Sequence, residues 1–189
     1  MEPPFLLVVE DVFDRDRGRA VLAAGRIERG RVRPGDVVEV VGQGGPAALP
    51  VTAVDSGGGR IREASAGMNI GLLLPGTGAR PERGDVLATP GSVAAWRSFT
   101  AEIAVLPQDQ GGAGIRTGDR AAFHIHAAAV PGTVRLPDGA AVLRPSHGAT
   151  VTVTLDHPVA LEEGRRFAFR YRGRATGSGT VTRLLGTGP

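Results

Sequence analysis

The chain has 189 residues, enough for one large or two small domains, and its 41% hydrophobic content suits an ordinary globular protein. Cysteine is absent and all 22 basic residues are Arg. This excludes disulfides, thiolate metal sites, thiol nucleophiles, Schiff-base lysines and a phosphate-binding loop ending in Gly-Lys-Ser or Gly-Lys-Thr. The net charge of +3 does not imply nucleic acid by itself, but guanidinium groups fork onto phosphate and stack on bases, so a small Arg-lined groove suits RNA.

The N-terminus lacks a basic segment followed by an apolar core and a small-residue cleavage site, and no apolar run is long enough to span a bilayer. The expectation is a cytoplasmic protein that engages no membrane. With 29 Gly and 14 Pro spread along the chain, apolar segments are short, which predicts an all-β protein.

The first predicted strand covers Phe5 to Val9, with Glu10 and Asp11 marking its exit. Two adjacent carboxylates followed by Phe13 offer acceptors beside an apolar wall, as a small polar ligand group requires; a solvated strand end with a core Phe is the other reading. Asp14 to Arg19 reads as a hairpin loop, and Ala20 to Glu28 as the returning strand. Arg29-Gly30 and Pro34-Gly35-Asp36 are turn signals, and Val37 to Val41 resumes the sheet. Short strands follow at Val51 to Val54, Asn69 to Leu74 and Asp85 to Ala88. Thr89-Pro90-Gly91 is a natural boundary.

From Ser98 to Leu106 the alternation of Phe99, Ala101, Ile103 and Val105 predicts a half-buried strand. Pro107 to Gly118 is a glycine-rich loop, and Ala121 to Ala128 alternates around Phe123 and Ile125. That alternation puts His124 and His126 on one face, the spacing of two metal ligands, although no third ligand is near and two solvated histidines explain it as well. Thr133 to Leu136, Ala149 to Leu155, Phe167 to Tyr171 and Thr176 to Leu185 complete a second set. Arg166 and Arg170 alternate, with Arg172 and Arg174 beyond them, as a basic stripe or a solvated face. About six strands in each half match the arithmetic of small closed barrels.

The phrases PFLLVVEDVF, GRIERGRVRPGDVVEV, AGMNIGLLLPG, ERGDVLATPGS, DHPVALEEGRRFAFR and GRATGSGTV, in this order, resemble the second and third domains of elongation factor Tu over Pro4 to Gly186. The resemblance implies two six-stranded antiparallel barrels in tandem, residues 1–92 and 93–189, joined near Pro90 to Trp96. Only three residues precede Pro4, where the family places its nucleotide-binding domain, so the expectation is a chain without GTPase activity or GTP binding, and Met1 close before the barrel suits a natural start.

Carried over by position, the resemblance assigns Glu10, Asp11, Phe13 and Asn69 to the pocket for the aminoacyl end of tRNA. Asp55 takes the place of a glutamate near the terminal adenosine, and Arg83 that of the arginine near the 5′ phosphate. Ala24 stands where a threonine is expected, and the preceding hairpin carries one extra residue. In the second barrel, Ala127, Ala128 and Pro131 replace groups that meet the T stem, the loop after Asp109 is short and has lost basic character around Ala113, and His157 replaces a lysine. His157 and Arg172 are the residues left there for the T stem.

The function this implies is a paralogue that binds the aminoacyl or acceptor end of tRNA without catalysis and without a cofactor. Its alternatives are a module that docks a separate GTPase or other protein through the surface that faces the GTPase domain in the family, and a protein that binds a small molecule such as an antibiotic.

Overall fold

A computed structural model describes residues 1–186. Contacts divide the chain into two units, Met1–Ala95 and a second from Trp96 onward. Strands dominate both; among the described residues a single 3-10 turn stands at Gln108–Gln110, and the β1–β2 connection at Asp16–Gly18 is a left-handed turn with φ 48°, 58° and 84°. No helix among them is long and apolar enough to cross a membrane.

The first unit holds β1 (Leu6–Arg15), β2 (Ala20–Arg29), β3 (Arg31–Val32), β4 (Val37–Val41), β5 (Ala47–Pro50), β6 (Ala53–Asp55), β7 (Arg60–Ile61), β8 (Ala64–Ser65), β9 (Asn69–Pro75) and β10 (Val86–Ala88). Eight of them form one antiparallel sheet in the order β5-β4-β10-β1-β2-β9-β6-β7, and β3 pairs with β8 separately. The Val- and Leu-rich run of β1 is buried, and Leu7 and Val9 join Ala23, Ile27, Leu72 and Leu87 in the core.

This sheet departs from the expected six-stranded closed barrel, because its ladder is open. The single strand expected over Val51 to Val54 is broken. Val51 and Thr52 lead directly from the edge strand β5 to β6 near the other edge and bond to opposite sides: the Val51 N–H donates to the Asp36 carbonyl and its carbonyl accepts the Gly35 N–H, while the Thr52 N–H donates to the Leu73 carbonyl, all at 2.8 Å. Pro50, which has no N–H to give, ends β5 at the sheet edge, where proline costs no ladder bond. The chain thus bridges the gap that a ladder would have closed.

The second unit holds β11 (Ala94–Val105), β12 (Arg120–Ile125), β13 (Ala128–Arg135), β14 (Gly148–Leu161), β15 (Arg166–Tyr171) and β16 (Arg174–Leu185). They close into a barrel in the order β11-β14-β13-β12-β15-β16, with β16 returning to β11. Its core is aromatic: Phe99 and Phe123 meet Phe167 edge to face at 5.7 and 5.8 Å between ring centres. Glycine on β16 makes room for these rings. A Cβ at Gly177 or Gly179 would stand 2.6 Å from the ring of Phe169 or Phe167, respectively, closer than packed atoms approach. Pro131 lies inside β13 but one residue outside the β13–β14 ladder, which begins at Gly132↔Leu155, so its missing N–H breaks no bond there.

Candidate functional site

Glu10 does not mark the end of the first strand. The register runs from Val9↔Gly25 to Asp11↔Ala24, so Glu10 is an extra residue in β1, a β-bulge, and the strand continues to Arg15. A run of charged residues reads the same whether it ends a strand or lies on its solvent face, which is why the sequence suggested an exit. The bulge needs close backbone approach on its partner: a Cβ at Gly25 would stand 1.8 Å from the Val8 carbonyl oxygen. It is braced from behind. The Val9 N–H donates to the Asp85 carbonyl and the Gly84 N–H to the Val9 carbonyl, both at 2.9 Å, while Arg83 Nη1 donates to the Glu10 carbonyl at 3.1 Å. The Asp85 carboxylate closes the same turn by accepting the Glu82 N–H at 2.9 Å.

Past the bulge, Val12 packs on the core and Asp11, Phe13 and Arg15 take the outer face. Register continues this face across the sheet, with Phe13↔Leu22 and Asp11↔Ala24 on β2, Leu22↔Leu73 and Ala24↔Gly71 on β9, and Asp55↔Gly71 on β6. An open cleft of about 550 Å³ lies here. Its floor is Leu22, Ala24, Gly25, Ile70 and Gly71; its polar groups are Glu10, Arg15, Asp55, Ser56 and Asn69. The missing side chain at Gly71 is what lets Leu22 lie flat, since a Cβ there would be 2.7 Å from Leu22 Cδ1. Asp55 is held by its own loop, one carboxylate oxygen accepting the Gly57 N–H at 2.7 Å.

The structure therefore brings Glu10, Asp55 and Asn69 to one cavity. Asp11 and Phe13 share its face but not its lining: Asp11 Oδ1 accepts the Val12 N–H at 2.9 Å, and Phe13 is 41% exposed beneath the Arg15 guanidinium, 5.5 Å from the ring centre. Sequence reasoning missed two polar lining residues, Arg15 and Ser56. Continuing the alternation of Asp11 and Phe13 by two residues would have found Arg15.

Residues 20–88 match the family described as Elongation factor Tu domain 2, and residues 92–185 match Elongation factor Tu C-terminal domain. This chain belongs to the elongation factor Tu family. No GTPase-domain match falls within it. Ala24, Asp55, Asn69 and Arg83 lie inside the first matched stretch, whereas Glu10, Asp11 and Phe13 precede it and are tied to it through the β1–β2 ladder.

The second elongation factor Tu barrel gathers its candidate residues less well. His157 is half-buried on β14, a ring N–H directed at the Pro158 carbonyl at 3.3 Å, and Arg172 occupies the β15–β16 turn at φ 51° with its guanidinium 5.1 Å from the Tyr171 ring centre. β14 and β15 are opposite strands in the closed order, so these residues do not form one site. Arg166 and Arg170 do share the outer face of β15, and Arg170 donates to the Gly173 carbonyl at 3.2 Å. Beside His157, Asp156 accepts both Nη groups of Arg120 at 3.0 and 2.6 Å. Those bonds hold the Asp156 carboxyl below its ordinary value.

The expected pairing of His124 and His126 on one strand face fails. His126 sits in the β12–β13 turn at φ 56°, donating from Nε2 to the Ala160 carbonyl at 2.7 Å, while His124 stays on β12. A left-handed turn residue breaks the period-two alternation on which that expectation stood. No group of three or more His, Asp or Glu among the described residues is arranged to hold a metal.

Proposed function

We propose that this chain binds the aminoacyl or acceptor end of tRNA in the cleft of its first unit, by recognition alone and without catalysis. The observation that carries this reading is convergence: the bulged Glu10 of β1, Asp55 of β6 and Asn69 of β9, far apart in sequence, line one cavity. The chemistry fits. Carboxylates complement the α-ammonium of an aminoacyl ester, the carboxamide of Asn69 can donate to an ester or ribose oxygen and accept from a hydroxyl, and the floor of Leu22, Ala24 and Gly71 gives an apolar surface for the remainder. The cavity is also in the usual range for a small ligand group, about 300 to 1,000 Å³.

The experiment is retention of charged and uncharged tRNA on filters at two salt concentrations, with wild type, Asn69→Ala and Arg83→Ala. The reading expects the charged form to be preferred and Asn69→Ala to weaken it about tenfold, the size of one lost hydrogen bond to a bound ligand. Arg83 has two possible contributions, separated by the salt slope. Loss of a phosphate contact lowers the slope by about one unit, whereas loss of the brace on Glu10 weakens the charged form and leaves the slope alone. Failure of wild type to retain either form would overturn the reading and move recognition to a protein partner.

A further inference from the structure

The polar lining of the cleft is not all acidic. Arg15 faces it from the last position of β1, and three features define how that guanidinium is presented. It is positioned by alternation from Phe13 and lies over that ring, 5.5 Å from its centre, an arrangement that orients the planar group without neutralising it. One of its donors is used locally, Nη1 to the Asp14 carbonyl at 3.2 Å. No ion pair joins it among the described residues, and the adjacent carboxylate, Asp14, pairs with Arg80 at 2.6 Å. A cation with spare donors therefore stands in the same cavity as the carboxylates of Glu10 and Asp55.

That combination discriminates between ligands. An uncharged side chain on an aminoacyl ester would satisfy the carboxylates through its ammonium and leave the exposed guanidinium to solvent. A side chain ending in a carboxylate would satisfy both, through the bidentate geometry for which guanidinium is suited. The small floor residues Ala24, Gly25 and Gly71 leave space above the sheet for such a side chain. We infer that Arg15 is a specificity-determining residue that makes the cleft prefer aminoacyl groups with an acidic side chain, aspartyl or glutamyl. This inference rests on the aminoacyl-end reading and adds the ligand class to it.

The test uses one tRNA body acylated with glutamate or with glutamine, which differ by a carboxylate against an isosteric amide, and the uncharged tRNA. Dissociation constants are measured for wild type, Arg15→Gln and Arg15→Lys at fixed salt. Wild type is expected to bind the glutamyl form about tenfold more tightly than the glutaminyl form, the scale of one charge-assisted hydrogen bond. Arg15→Gln should abolish that ratio by weakening the glutamyl form alone, and Arg15→Lys should restore part of it. Equal binding of the two esters by wild type overturns this inference and leaves the aminoacyl-end reading standing. Equal weakening of all three RNAs by Arg15→Gln also overturns it, by assigning the guanidinium to a backbone phosphate. If no RNA binds, both readings fall.

Discussion

The two units use the same antiparallel strands, but the first gathers polar side chains at one cleft and the second spreads them around a closed barrel. In the second unit β16 returns to β11, the ladder closes, and four phenylalanines fill the centre. Closure leaves no free edge, and although β16 slips register once against β11 and once against β15, His157 on β14 and Arg172 in the β15–β16 turn stay apart. In the first unit the ladder stays open and β1 bulges at Glu10, beside Asp55 of β6 and Asn69 of β9, which regular register brings to the same cleft over an aliphatic core. The bulge at Glu10, opposite Gly25, is the irregularity that borders the cleft.

The strongest way to break this contrast is to empty the closed barrel. Phe123 is buried and touches Phe167 and Phe169, so Phe123→Ala should destabilise the second unit by about 3 to 5 kcal/mol. Trp96 is the only tryptophan in the sequence and packs against this core, so its fluorescence during denaturant unfolding reads that unit. Retained charged-tRNA binding by this variant at low denaturant would place recognition in the first unit, and its loss would place it in the second.

Much of the architecture was legible because it is local. The alternation of Phe99, Ala101, Ile103 and Val105 marks β11, and Phe167 and Phe169 mark β15, since a half-buried strand must repeat every second residue. Asp55 and Asn69 were legible only through the family resemblance, whereas Glu10 was also marked by its acidic pair with Asp11, and the structure brings the three together. What stayed hidden depends on pairs of strands. A bulge exists only relative to its partner, so the extra residue at Glu10 left no mark in β1 itself, and the outer half of that strand, EDVFDR, is polar enough to pass for a loop. Arg15 was lost with it. The left-handed His126 and the bridging Val51-Thr52 are likewise fixed by what surrounds them.

A smaller effect sharpens the same contrast from the other side. At Gly25 an added Cβ meets backbone, the Val8 carbonyl carbon and oxygen, which cannot rotate away. Gly25→Ala should therefore force the β1–β2 pair apart at the bulge, costing about 1 to 3 kcal/mol and reducing retention of charged tRNA, with the Trp96 transition unmoved. Undiminished retention would show that the placement of Glu10 does not matter to recognition.

The smallest effect is electrostatic and compares one surface ion pair in each unit. Arg80 lowers the Asp14 carboxyl from its ordinary 3.8, chiefly through its hydrogen bond and then through its charge, and Arg120 lowers Asp156 in the same direction, again chiefly through the hydrogen bond. A carboxyl depressed in the folded state stabilises above its unfolded value and loses that contribution as pH falls through the folded value. Wild type should accordingly lose denaturant resistance more steeply than Arg120→Ala on acidification below that ordinary value, the two converging at the acid end. Both pairs are fully exposed, so the difference should shrink in about 1 M salt, where the screening length falls to about 3 Å. Trp96 fluorescence should report the change for Arg120→Ala and not for Arg80→Ala. If both variants alter the Trp96 transition equally, the two units unfold as one, and Trp96 does not report the second unit alone.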